Sequence, residues 1–186
     1  MPLLKATLFK FFFLLIIIIC FPFCGKKSQR ENAIKKEAFN KSKVEEVETS
    51  FFIEMGNIAN SMISKSQIAQ QKSSESKILE VSKKIENHQN QVLQNVTEMA
   101  NKKLIIITDL NASHKEELTE LNNTNGDSFN KSYLSSMTTA LGKQIKLFEN
   151  ISKETDDQLI LKLVLRYLPE QYQLLRETEQ IKNEFN

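Results

Sequence analysis

Few residues of this chain have side chains that commonly bind a metal ion or catalyse a reaction between helices. The sequence has two histidines, His88 and His114. A metal site between helices needs several inward carboxylates, usually with Glu-x-x-His pairs. The residue three positions before His88 is Ile85, and the residue three before His114 is Asn111. His88 is therefore a candidate metal ligand without a ligand set, and the sequence predicts no cofactor and no catalytic residues.

Both cysteines lie in the N-terminal segment. Cys24 follows the uncharged residues 11–23 (FFFLLIIIICFPF), and Lys5 and Lys10 precede this run. A membrane-spanning helix needs roughly 20 apolar residues, so the run is short for an anchor. A basic segment followed by a shorter apolar one is typical of a secretory signal. Cys24 at the junction resembles the lipidated cysteine of bacterial lipoproteins, in a loose form found in the Bacteroidetes. We expect lipidation at Cys24, with an uncleaved anchor or modification of Cys20 as alternatives.

The rest of the chain has the composition of a helical protein. From residue 25 onward it contains four glycines, a single proline, no cysteine and no tryptophan. Since Lys5 and Lys10 account for the formal net charge of +2, this part carries none. A neutral domain offers no charge-driven attraction to nucleic acid, so no nucleic-acid partner is expected.

The apolar pattern divides the chain into three parts. Residues 1–24 form the lipoprotein-type signal segment, residues 25–50 a charged, solvated tether that is partly helical and dispensable for folding, and residues 51–186 a helical domain. In the domain, apolar residues recur every three or four positions, which predicts four amphipathic helices. The first should span about 50–72, and the later ones carry the stripes around His88, Tyr133 and Tyr167. Residues 104–107 (LIII) are expected to form a buried connection. Together these features predict an all-α fold, a four-helix bundle.

Several segments resemble the bacterial family called domain of unknown function 4142. They are residues 86–88 (ENH), 129–137 (FNKSYLSSM), 145–148 (IKLF) and 168–169 (LP), and the resemblance extends over 51–181. Members of this family are exported, many are lipoproteins, and the fold is similar to the ferritin-like bundles. The resemblance therefore implies a ferritin-like arrangement of the four helices.

The chain departs from the family pattern at the positions that carry histidine in relatives. These are Leu141 and Leu174 here, and the acidic residue expected before His88 is Asn87. We therefore expect His88 to be a neutral, hydrogen-bonded residue between the helices, near Tyr133 or Gln91. His114, at the start of a short helix, is expected to be exposed.

These observations favour an exported, non-enzymatic lipoprotein on the periplasmic face of the cell envelope, as in an outer-membrane lipoprotein. Its bundle would act as a structural or interaction module. The expected partners are the membrane, through the lipid anchor, and an envelope protein. Two alternatives are a ferritin-like metal or redox protein and a carrier of an apolar ligand between the helices.

Overall fold

The structure, a computed structural model, describes residues 26–107 and 112–185. Within these residues the chain is all-α, with five helices and no strand. The helices are α1 (Lys26–Lys72), α2 (Ser76–Lys102), α3 (Ala112–Asn122), α4 (Gly126–Glu154) and α5 (Gln158–Glu184). The all-α prediction is confirmed, and the ferritin-like four-helix arrangement stays a prediction. The predicted signal segment with Cys24 lies outside the described residues. None of the described helices is long and apolar enough to cross a membrane.

The first helix begins earlier than the apolar pattern indicates. We predicted a helix over 50–72 after a partly helical tether, whereas α1 runs without a break from Lys26. Residues 26–50 contain no glycine or proline and many Lys and Glu residues, which favour a helix even where no apolar stripe exists. The chain divides into two compact units, residues 1–43 and 44–186. The boundary predicted at residue 50 stays a prediction, although seven residues of the predicted tether belong to the second unit.

The predicted apolar stripes form the core of the second unit. Buried side chains from α1, α2, α4 and α5, together with Leu121 of α3, make two clusters. The first cluster includes Met62, Ile85, Leu141 and Leu174. The second cluster includes Phe52, Val92, Phe148 and Tyr167. Helix α5 continues through Pro169 without an interruption.

The connection after α2 is only half buried, which corrects the prediction for residues 104–107. Ile105 and Ile107 pack against the second cluster, whereas Leu104 and Ile106 are 91% and 79% exposed. The Ile105 amide donates to the carbonyl of Ala100, and the Leu104 amide donates to that of Asn101. This pattern is a Schellman cap, in which the residue at the Leu104 position adopts a left-handed conformation and is usually glycine. Leu104 has a φ of 59°.

A Leu104→Gly variant is expected to be more stable than the wild type by about 0.5–1 kcal/mol. A left-handed conformation costs a non-glycine residue roughly 1–2 kcal/mol, and the entropy of the glycine cancels part of that gain. Leu104 is almost fully exposed, so little packing is lost. Urea unfolding measures the difference. Ile106→Gly is the control, since it removes an exposed apolar side chain without relieving a positive φ, and it should not gain stability.

A polar network joins α1 to the ends of α2 and α4. Glu48 is buried, and its Oε2 lies 2.8 Å from Nζ of Lys103. Thr155 donates its hydroxyl to Oε1 of Glu48 at 2.5 Å. The Lys103 ammonium also lies 2.7 Å from Asp157, which accepts a hydrogen bond from the Leu159 amide and so caps α5. The Lys103 ammonium holds the pKa of Asp157 below its usual value. We refer to Glu48, Lys103, Thr155 and Asp157 as the Glu48 network.

Candidate functional site

His88 lies inside the second unit, as its position in the α2 stripe predicts. Its side chain is 1% exposed, and Nδ1 lies 3.0 Å from Oε2 of Glu170 on α5. The Tyr167 ring meets the imidazole edge to face, with the ring centroids 5.6 Å apart. Among the described residues, neither ring nitrogen of His88 has a partner with hydrogen-bond geometry, although Nδ1 lies close to Glu170. The neighbours of His88 therefore include the Tyr167 ring and the carboxylate of Glu170, whose side chain is 57% exposed.

The two partners suggested for His88 are engaged elsewhere. The Tyr133 hydroxyl lies 3.3 Å from the hydroxyl of Ser66 on α1. The backbone carbonyl of Gln91 accepts a hydrogen bond from the Tyr167 hydroxyl at 3.3 Å. The expectation that His88 pairs near Tyr133 or Gln91 therefore does not hold, because its ring faces α5 and Glu170.

Beside His88, three fully buried glutamines cross the core between α2, α4 and α5. Gln144 donates a hydrogen bond to Oε1 of Gln89 at 2.9 Å. Gln171 donates a hydrogen bond to Oε1 of Gln144. On α4, Gln144 lies between Leu141 of the first cluster and Phe148 of the second. We call these three residues the glutamine layer. Gln89 Nε2 and Gln171 Oε1 have no partner among the described residues. Because the loss of a buried hydrogen bond is costly, the two bonds through Gln144 oppose a shift of one helix along another.

The donor set around His88 is poor for a metal ion. Across the described parts of the chain, no three His, Cys, Asp or Glu side chains lie close enough together to hold one. Leu141 and Leu174, which replace the histidines of the family pattern, are buried in the first apolar cluster. The polar groups adjoining His88 in sequence and space are amides and one carboxylate, whereas transition metals in proteins favour several imidazole, thiolate or carboxylate ligands.

Burial lowers the pKa of His88, although the Glu170 carboxylate opposes this shift. The two influences favour different states, since the close carboxylate would stabilise an imidazolium. We assign the neutral form, because the ring is almost fully buried whereas Glu170 is largely solvated and its attraction is screened.

The stability of the protein is therefore expected to fall in acid through His88. At pH values above the ordinary 6.5 the ring is neutral in both states. Below pH 6.5, the unfolded chain binds the proton more readily than the folded one. The free energy of unfolding therefore decreases as the pH falls, until the pH is below the pKa of His88 in the folded protein. His88→Leu should remove this contribution and change stability at neutral pH by less than about 1.5 kcal/mol.

Denaturant unfolding of the wild type and His88→Leu across this pH range measures the effect. Glu170→Gln is the matched variant, because it keeps the imidazole and removes the opposing charge. It should make the loss in acid steeper than in the wild type. Identical pH profiles for the wild type and His88→Leu would contradict a neutral buried His88.

A second polar site, which was not predicted from the sequence, lies between α1, α3 and α4. It is a cavity of about 360 Å³. Two lysines, Lys65 and Lys143, line it together with Glu117, His114 and five hydroxyl side chains. These hydroxyls belong to Ser61, Ser132, Ser135, Ser136 and Thr139. We refer to it as the Lys65 cavity.

Lys65 is the buried cation of this cavity. The residue is 2% exposed, and its Nζ lies 2.5 Å from Oε2 of Glu117. It also donates a hydrogen bond to the hydroxyl of Ser136 at 2.7 Å. The Lys65 ammonium holds the pKa of Glu117 below its usual value. His114 was expected to be exposed, but its side chain is only 16% exposed and its Nδ1 lies 3.7 Å from the same carboxylate.

One sequence signal could have indicated this cavity. Ser132, Ser135, Ser136 and Thr139 follow a spacing of three, four and seven residues, which places all four hydroxyls on one face of α4. Lys65 gave no such signal, because a lysine among polar residues usually marks a solvated helix face. Its burial depends on α3, whose Glu117 reaches it from 52 residues away in sequence.

A comparison with protein families identifies the family of this chain. The family model described as Domain of unknown function (DUF4142) matches residues 34–181. The chain belongs to this family. The match begins before residue 51, where the sequence resemblance was expected to start, and so includes part of α1 in the predicted tether. No curated protein and no solved structure matches the chain.

Proposed function

We propose that this protein is an exported lipoprotein of the bacterial cell envelope, whose helical domain is a non-enzymatic structural or interaction module. The proposal for the anchor derives from Cys24 and the basic and apolar residues before it. The proposal for the domain derives from the polar interior, where glutamines stand beside the one buried histidine.

The glutamine layer is the observation that carries this proposal. A reactive centre needs groups that take up protons, donate electron pairs or bind a metal. Gln89, Gln144 and Gln171 do none of these at ordinary pH, and two of their amide hydrogen bonds join three different helices. Such a layer favours one fixed arrangement of the long helices. A fixed arrangement is what a structural or interaction module needs.

The anchor gives a direct prediction for a Cys24→Ala variant. Lipidation adds roughly 0.8 kcal/mol for each buried methylene, so two or more acyl chains on Cys24 attach the protein stably. The variant should leave the membrane fraction or accumulate with its signal uncleaved, as cell fractionation and intact mass would show. Cys20→Ala is the matched control and should behave as the wild type. If Cys20→Ala leaves the membrane fraction while Cys24→Ala behaves as the wild type, the lipidated residue is Cys20.

Crosslinking in the native cell tests the interaction module. An envelope protein should be captured by the wild type and much less by Cys24→Ala, because anchoring raises the effective concentration of membrane neighbours. Mass spectrometry of the captured species identifies the partner. Capture that is equal in both variants, or no discrete partner with either, would contradict an anchored interaction module.

The metal alternative rests on the close approach of His88 and Glu170. A metal ion bound there would stabilise the fold by roughly 2.7 kcal/mol at a hundred times its dissociation constant, and His88→Leu would abolish this gain. We expect the melting temperature of the wild type to be unaffected by zinc, iron or manganese. The Lys65 cavity does not favour the apolar-carrier alternative, since its walls carry lysines, a carboxylate and hydroxyls.

A further inference from the structure

The Lys65 cavity holds a cation whose hydrogen-bonding capacity is not exhausted. An ammonium has three N–H donors, and Lys65 uses two of them, for Glu117 and Ser136. None of the described residues accepts the third. Burying a lysine is costly unless the charge is paired and hydrogen-bonded, so a ligand that accepts this donor would be favoured.

The charges that line the cavity favour an anion. Lys65 and Lys143 contribute two positive charges and Glu117 one negative charge. Lys143 is exposed on α4, whereas Lys65 is buried on α1, so the two ammonium groups belong to different parts of the cavity wall. A monoanion would therefore leave the lined site close to neutral.

The hydroxyl groups determine what else the ligand must carry. Each serine or threonine hydroxyl can donate one hydrogen bond and accept others, which matches the hydroxyl groups of a polyol. Four of them share one face of α4 and Ser61 belongs to α1. A volume of about 360 Å³ is at the lower end of the roughly 300–1,000 Å³ found for ligand sites.

We propose that the Lys65 cavity binds a small hydroxylated carboxylate. The carboxylate of the ligand accepts the remaining donor of Lys65, the charge of Lys143 adds to its attraction, and the ligand hydroxyls bond to the hydroxyl face of α4. A divalent cation suits this site less, because its one carboxylate, Glu117, is already held by Lys65. An apolar ligand would cover these hydroxyl groups without offering them hydrogen-bond partners, which is unfavourable.

Three six-carbon probes separate the contributions of charge and hydroxyl groups. Gluconate has both, sorbitol has the hydroxyls without the charge, and hexanoate has the charge without the hydroxyls. Calorimetric titration of the full chain in nonionic detergent should show one gluconate bound with a dissociation constant of about 1 mM or lower. Sorbitol and hexanoate should each bind at least about tenfold more weakly, since each lacks one set of contacts.

Variants then assign the binding to this cavity. Lys143→Gln should weaken gluconate about three- to tenfold, as expected for the loss of one partly exposed charge. Lys146→Gln is the matched control, because Lys146 is an exposed lysine on the same helix that does not line the cavity. Lys65→Met should weaken binding at least about tenfold. If Lys65→Met fails to fold in a thermal melt, Lys143→Gln and Lys146→Gln still decide the assignment.

Each other outcome overturns the proposal. Absence of saturable gluconate binding at about 10 mM would show that the cavity is not such a site. If hexanoate binds as tightly as gluconate, the hydroxyl face of α4 does not contribute to recognition. Equal losses in Lys143→Gln and Lys146→Gln would place the anion on the general surface of α4 instead of in the cavity. None of these results bears on the membrane anchor or on the captured partner.

Discussion

A Gln144→Met variant is expected to lose about 2–5 kcal/mol of stability, because it removes the middle of the glutamine layer. Methionine has a similar volume, so the change leaves little empty space. It does leave Oε1 of Gln89 and the amide nitrogen of Gln171 without their partners in the core. A buried polar group that loses its partner costs about 1–3 kcal/mol. Denaturant unfolding, with the slope compared between variants, measures the loss.

The control for this prediction replaces all three glutamines with methionine. Once Gln89, Gln144 and Gln171 are all apolar, no amide of the layer remains, and replacing all partners of a buried hydrogen bond by apolar groups of similar shape can be neutral or stabilising. We expect the triple variant to lie within about 1.5 kcal/mol of the wild type or above it. A triple variant that is less stable than Gln144→Met would show that the layer stabilises the fold as well as fixing the helix positions.

A Glu48→Ala variant is expected to lose about 2–3 kcal/mol. The substitution breaks the bonds from Lys103 and Thr155. Removal of one partner of a fully buried ion pair costs about 3–5 kcal/mol. The expected value here is smaller, because Lys103 is 32% exposed and keeps its contact with Asp157. Chemical denaturation measures the loss.

Glu45→Ala is the matched control for Glu48. Glu45 lies one turn earlier on α1 and is exposed, so its removal should change stability by less than about 0.5 kcal/mol. A chain that begins at residue 44 should likewise be more stable than one that begins at residue 51, which lacks Glu48 and the apolar contact of Val47. Equal stability of these two chains would support a domain that starts at residue 51, as the sequence indicates.

The Glu48 case shows why a tether boundary is difficult to place from sequence. Residues 26–50 lack an apolar stripe, and this absence predicted a solvated segment. The contribution of Glu48 comes from Lys103 and from Thr155, which is 107 residues away in sequence. A single polar residue in a charged segment carries no sign of such distant partners, so its burial could not be predicted.

The candidate sites were also predictable only where a local sequence pattern indicated them. His88 interrupts an apolar stripe on α2, and a residue at that spacing must face the interior whatever its type, so its burial was predicted. Its nearest carboxylate, Glu170, was not predicted, because it lies 82 positions along the chain and on the largely exposed side of α5. Among the glutamines, Gln144 directly precedes Ile145 of the α4 stripe, whereas Gln89 and Gln171 gave no signal.

The sequence by itself determined the all-α class, the apolar stripes of the helices, the family and the inward position of His88. These follow from local periodicity, since residues three and four apart share a helix face in any tertiary structure. Only the tertiary structure decided which polar side chains come together, as in the Glu48 network, the glutamine layer and the Lys65 cavity. The physical reason is that a buried polar group needs a partner within about 3 Å, and the packing of whole helices determines which distant residue supplies it.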